Sequence, residues 1–433
     1  MSSPPTPTTQ VGALNFQQAP PIWVPLRFFL SAPAFALLAA AVMLWQGENL
    51  LASRWSPATL AAVHLLTLGS MTMVMIGALF QLLPVLAGAP LPRPRMVAAI
   101  VHGALVLGTL MFAGALLFTQ PLLLAVAIPL LGLGLAIFLA AALFALARTP
   151  NPNASVFALG MASCALVVTL LLGLALGASR TWGLALPTLS LRDLHPAWGL
   201  LGWTGLLVAG AAYQIVPMFQ ITPPYPRWLM RSFAATVCAL LTLLSIAQWP
   251  AGGTSWQWLK PVCIFLLAGA YILFAAITLH LQRQRRRRLP DVTLEFWRIG
   301  MVCVVLAALL WAAQEIAVLR FAQADVLLGV LVILGAAMSF ISGMLCKIVP
   351  FLSWFHLQAS RAGAPNVKAM LPEKAQRLQL RLHLAALVLC VAAALFPALF
   401  TYPAALCFGA ASLSVLWNMF GVVRIYRRVA AGP

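Results

Sequence analysis

Residues 64 to 88 read HLLTLGSMTMVMIGALFQLLPVLAG, residues 195 to 220 read HPAWGLLGWTGLLVAGAAYQIVPMFQ, and residues 335 to 350 read GAAMSFISGMLCKIVP. All three contain the pattern Gly-x7-Gly-x3-Gln/Lys-x2-Pro. Its residues are Gly69, Gly77, Gln81 and Pro84, then Gly202, Gly210, Gln214 and Pro217, then Gly335, Gly343, Lys347 and Pro350, each copy 133 residues after the last. Leucine matches mean little in so apolar a chain, but four non-leucine positions displaced twice by one interval indicate an internal repeat. The interval spans four hydrophobic segments, an even number, so each copy keeps the orientation of the one before it.

Working outward, 63% of the 433 residues are apolar and 8% are charged, which excludes a soluble domain with a polar surface. A helix crosses a bilayer in about 20 apolar residues. Such runs occur at 22–46, 57–85, 96–119, 122–147, 155–178, 195–219, 230–249, 259–281, 297–318, 324–352, 379–400 and 403–424. The chain is therefore expected to be an all-α polytopic membrane protein of about twelve helices, in three four-helix repeats near 21–150, 151–285 and 290–433. Residues 1–20, rich in Pro, Thr, Ser and Gln, lack a basic n-region and read as a disordered tail rather than a signal peptide.

The formal charge of +19 is explained by topology. Arg27, Arg93, Arg95, Arg148, Arg227, Arg231, the run RQRRRR at 283–288, Arg361, Lys368, Lys374, Arg377, Arg381, Arg424, Arg427 and Arg428 fall on one side; Arg54, Arg180, Arg192, Lys260 and Arg320 fall on the other. By the positive-inside rule the crowded side, with both termini, is expected to be cytoplasmic in an inner (plasma) membrane of bacterial type. The lipid bilayer is then the partner of these basic loops, and nucleic acid is not. Seven cysteines, all inside apolar runs and never as CxxC, read as packing residues. Trp23, Trp45, Trp55, Trp182, Trp249, Trp256, Trp297 and Trp417 stand near span ends, as interfacial indoles do.

Glycines eight residues apart lie within about 80° on a helix and permit close approach of a neighbour. The proline bends the helix, and three such helices would converge near a pseudo-threefold axis. Twelve spans in three four-helix arcs resemble the catalytic subunit of haem-copper oxidases and nitric oxide reductases, over most of the chain and most specifically at His64–Gly88 and His195–Gln220. In span count the chain is also similar to the NnrS-type haem and copper membrane proteins associated with nitric oxide stress. The resemblance implies a haem- or copper-binding oxidoreductase. It assigns His64, in span 2, to a haem-ligand position, and His195, followed by Pro196 as in the family's His-Pro dipeptide, to a copper-ligand position. The acidic and tyrosine positions that usually follow are Ala197 and Gly199. Span 7 has no histidine, and span 10 has none before His356. The usual haem-copper centre therefore cannot be assembled, reduction of oxygen or nitric oxide by that mechanism is disfavoured, and a partner for His64 would have to come from elsewhere, such as Met338.

His64, His195, Glu315 and Asp325, with Glu48, Asp193 and Gln314, map toward the less basic side. Ionisable groups inside a membrane usually face inward and serve a function, and imidazole and carboxylate are ligands for iron, copper or zinc. His64, Met71 and Met75, at intervals of seven and four, would present a soft-ligand path for copper, although methionines so spaced are more often packing. Toward the basic side, Gln81, Gln214 and Lys347 share one depth, with Tyr213 nearby. They could form a polar cluster that takes a quinone headgroup, an anion or a water chain, or simply bond three bent helices together. His102, His356 and His383 lack ligand spacing and read as interfacial. No phosphate loop, nucleophile elbow or His-Glu-x-x-His motif occurs.

Three functions are compatible with these residues. The first is a haem- or metal-binding redox protein, degenerate relative to the oxidases, using His64 and His195 and drawing on quinol or a redox partner subunit. The second is a channel or transporter for a small solute, metal ion or protons on the same scaffold. The third is an assembly subunit whose polar groups are only structural.

Overall fold

Three of the long helices begin where the sequence supplies a cap. Ser56 accepts from the Thr59 amide at 3.1 Å ahead of Pro57, Asn153 accepts from Val156 at 3.0 Å, and Asp291 accepts from Thr293 at 3.0 Å. The computed structural model describes residues 19–150, 152–249, 256, 258–286, 289, 291–318, 321–360 and 365–431. Among these it contains no strand and twelve helices long and apolar enough to cross a membrane. They are α1 (Trp23–Leu51), α2 (Pro57–Ala87), α3 (Pro94–Leu117), α4 (Pro121–Ala147), α5 (Ala154–Trp182), α6 (Thr188–Gln220), α7 (Arg227–Gln248), α8 (Leu259–Arg283), α9 (Val292–Glu315), α10 (Ala324–Gln358), α11 (Glu373–Leu395) and α12 (Pro397–Ala431). Number and order match the apolar runs. The tail up to residue 18, Arg287, Arg288, Arg320 and Arg361 lie outside the described residues.

Two boundaries differ from expectation in a way that matters. Helix α6 begins at Thr188, after Pro187, and runs through Pro196, so His195 lies two turns inside the helix instead of opening it. Its first turns carry Ser190, Arg192 and Asp193 and so escape a hydropathy reading. Helix α12 extends from Pro397 to Ala431, its last turns carrying Arg424, Arg427 and Arg428 beyond the apolar run. Trp297 is also not interfacial: it is 1% exposed, with Nε1 donating to the Met344 sulfur at 3.3 Å.

The three repeat-bearing helices are the most enclosed, with 83%, 61% and 72% of the apolar window of α2, α6 and α10 buried, against at most 56% elsewhere. Each changes from α to π winding at the corresponding place, over Thr67–Thr72, Ala197–Gly205 and Val330–Ala337. The first glycine of each repeat lies in that stretch, pressed on the preceding helix. A Cβ there would lie 2.3 Å from Phe35 at Gly69, 2.7 Å from Ala165 at Gly202 and 2.7 Å from Cys303 at Gly335. The second glycine meets the same neighbour seven residues away: Gly77 on Phe28, Gly210 on Ala158 and Gly343 on Phe296. The conserved spacing inside the chain is thus a helix-packing device, as the packing reading of the glycines has it.

Helix neighbours repeat in the same way. Helix α1 lies against α12, α2 and α3; α5 against α4, α6 and α7; α9 against α8, α10 and α11; and α3–α4, α7–α8 and α11–α12 form close pairs. Both ends of the described chain reach one face, where Arg427 lies over the Trp23 ring at 4.9 Å and Trp23 meets Tyr426. We call this the terminal face and its opposite the far face.

Candidate functional site

His64 stands seven residues into α2 and His195 seven residues into α6, so both lie about 10 Å below the far-face helix starts. Their rings face each other, centroids 6.2 Å apart and planes within 15° of parallel. His64 Nδ1 is 2.7 Å from the Leu60 carbonyl, and His195 Nδ1 is 3.1 Å from the Thr169 carbonyl of α5. A carbonyl only accepts, so Nδ1 carries the hydrogen in both rings and the neutral rings leave both Nε2 lone pairs free. Phe112 of α3 packs on His64 at 4.7 Å. The pair therefore sits where the first repeat meets the second.

Gly173 of α5 makes room for the second ring: a Cβ there would stand 2.9 Å from His195 Cε1. Gly173→Ala is expected to turn that ring and, if the pair holds a metal, to lower its affinity by about tenfold, in line with changes to groups that orient ligands, while the melting temperature moves little. Metal titration of the variant beside the wild type measures it. Equal affinities would mean that ring position is not set here.

The other expected ligands lie elsewhere. Met71, inside the π stretch Thr67–Thr72, and Met75, beyond it, are both buried, and that stretch breaks the α-helical phase that aligned them with His64. Met338 takes a hydrogen bond from Ser70 Oγ at 3.7 Å. Glu315 Oε2, at the end of α9, is 3.8 Å from Lys260 Nζ of α8. Among the described residues no three His, Cys, Asp or Glu side chains converge as a metal cluster.

At the far face one residue ties the inner helices together. Arg54, in the α1–α2 connection, donates from Nη2 to Asp193 Oδ1 of α6 at 2.9 Å, and its Nε lies 3.1 Å from Asp325 Oδ2 of α10. Gln314 Nε2 donates to the other Asp325 oxygen at 3.1 Å.

Toward the terminal face, Lys347 Nζ pairs with Asp291 Oδ2 at 3.2 Å. Gln81 is buried with Oε1 unpartnered, Gln214 is half-buried, and among the described residues no hydrogen bond joins Gln81, Gln214 and Lys347. Tyr213 packs its ring on Tyr225 at 5.3 Å and leaves its buried hydroxyl unpartnered. Tyr225, in the α6–α7 loop, bonds Thr278 at 3.0 Å, and burial pushes its phenol pKa up, so it remains a neutral hydroxyl. His356 approaches the Leu352 and Pro20 carbonyls, whereas His102 and His383 bond Ser31 and Ser339, each at 2.7 Å.

No protein-family model matches the chain, and no curated protein is significantly similar to it.

Sequence reasoning missed Asp291 and Arg54. Both had a signal. An aspartate a turn or two ahead of an apolar run is a candidate helix cap. Asp193 and Asp325 lie within one residue of the repeat interval, as acids on corresponding turns would.

Proposed function

We propose that the chain is a haem- or metal-binding membrane redox protein on an oxidase-like scaffold of three four-helix arcs, with His64 and His195 as ligands. The observation that carries this reading is the pair of near-parallel rings at 6.2 Å, each fixed through Nδ1 to a carbonyl. That outer-shell bond is the one metal-bound histidines usually make: it sets the tautomer and aims Nε2. Two imidazoles without a third acidic or thiol ligand are a donor set that would hold haem iron or a copper ion. The bound group would supply one-electron chemistry. The chain's own residues orient it, His64 through Leu60, His195 through Thr169 and Gly173, with Phe112 excluding water. The repeated neighbour pattern of α1, α5 and α9 supports the three arcs. Basic loops gathered on the terminal face support a cytoplasmic location for it, in an inner membrane. An optical spectrum and iron and copper analysis of the purified protein test the reading: a Soret band or a stoichiometric metal supports it, and neither being present opposes it.

Transport is the second reading, favoured by ion pairs at both ends of the inner helices, Arg54 with Asp193 and Asp325 at one and Lys347 with Asp291 at the other. Bent, proline-containing helices from repeated units are also how many transporters are built. Solute flux through metal-free protein in proteoliposomes would favour transport over redox chemistry.

A further inference from the structure

A partly open pocket with ≈ 20 Å³ of room for water lies where the third repeat meets the first, among α1, α2, α10, α11 and α12. It shares no residue with the junction that holds the histidine pair. Its lining includes Ser70, Ser342, Gln379, His383 and Ser412, none more than 5% exposed, in an otherwise apolar wall. Five buried polar side chains around one void need a reason, because each gave up water when the helices packed.

Their hydrogen bonds are incomplete among themselves. Gln379 Oε1 accepts from Asn418 Nδ2 at 2.7 Å, whereas its buried Nε2 has only the Cys346 sulfur, a weak acceptor, near it and no oxygen or nitrogen acceptor among the described residues. An amide NH2 can only donate, so it is left short of a strong acceptor. His383 spends Nε2 on Ser339 at 2.7 Å and makes no other hydrogen bond. Ser70 has only the Met338 sulfur, a weak acceptor, at 3.7 Å. Among the described residues no hydrogen bond is made by the hydroxyls of Ser342 and Ser412.

A water site requires roughly 10–15 Å³ and two to four polar partners. The cavity meets both conditions, with one obligatory donor and several groups that accept. A void of this size left dry would be lined by apolar side chains, as empty protein cavities are.

We propose that this cavity is a site for one ordered water, which accepts from the Gln379 amide, donates to the lining hydroxyls or the His383 ring, and keeps His383 in contact with exchangeable solvent midway through the membrane. The site does not depend on the metal reading: it stands on the cavity and the unpartnered amide alone.

Filling the cavity separates a wet site from a dry one by the sign of the effect. Ser412→Val occupies the space, and Ser412→Ala leaves it open. If water is bound, Ser412→Val expels it, strands Gln379 and lowers the melting temperature by a few degrees in the full-length protein in lipid nanodiscs. Deuterium exchange at the His383 ring C2–H, followed by mass spectrometry in D2O, then slows at least fivefold in Ser412→Val and stays near wild type in Ser412→Ala. A rise in melting temperature for Ser412→Val would show a dry void being filled and would overturn the proposal. So would His383 exchange that is equal in all three proteins. Should Ser412→Val fail to fold, the wild-type exchange alone decides: no exchange at His383 while exposed His280 exchanges fully means no water reaches the site.

Discussion

His64→Ala and His195→Ala are each expected to abolish binding of haem or metal, by at least about 100-fold in affinity, because even groups that merely orient a ligand contribute 10–100-fold. The double variant should bind no more weakly than either single one, since two ligands of one ion act as a unit. Folding should survive. The carbonyls of Leu60 and Thr169 lie within helices α2 and α5, so neither is stranded when the imidazole leaves. Each truncation then costs about 1 kcal/mol, the usual net value of one hydrogen bond. Metal content and absorption of each variant, read beside its melting curve, test this. If both single variants keep the wild-type signal, His64 and His195 are not the ligands. If both aggregate, Gly173→Ala, which keeps both imidazoles, carries the test.

The second large effect is expected at Asp291. Its carboxylate is 5% exposed and holds the ammonium of Lys347, itself 28% exposed, at 3.2 Å while capping α9 through Thr293. Removing one partner of a buried pair strands the other charge and costs about 3–5 kcal/mol, and losing a cap adds about 1 kcal/mol. Because Lys347 is partly exposed and can swing toward the basic face, Asp291→Ala should destabilise by about 3 kcal/mol, near the lower bound. Adding Lys347→Met should recover most of the pair's share but not the cap, since apolar replacement of a whole buried pair is close to neutral. Equilibrium unfolding of the two variants measures both parts. Asp291→Ala with wild-type stability would mean the pair contributes nothing.

The fold was legible because lipid leaves so little choice. Every span must satisfy its own backbone, so apolar runs of about 20 residues become helices. The three Gly, Gly, Gln/Lys, Pro copies identified the inner helices, and Gly69, Gly202 and Gly335 proved to be the contact points of α2, α6 and α10 with the helix before each. The π stretches were not legible. Winding depends on how a helix meets its neighbours, and although each stretch contains glycine, glycine within a span does not by itself specify π winding. That gap also undid the phase argument linking His64 to Met71 and Met75. His195 was recognised as a candidate but placed at a boundary, because Arg192 and Asp193 made the first turns of α6 look like loop. Once α6 starts at Thr188, the two histidines fall at equal depth and face each other. Lys347 was singled out as a lone cation in a cluster with Gln81 and Gln214. Its carboxylate partner comes from α9, outside the repeat pattern, where only pairing in space could find it.

X-ray absorption of the purified wild-type protein at the iron and copper edges tests the central claim most directly. The account predicts one bound metal per chain whose outer-shell scattering fits two imidazoles, with one of the two lost in any residual metal of His195→Ala. A protein with neither edge, or a metal whose spectrum contains no imidazole scattering, would contradict it.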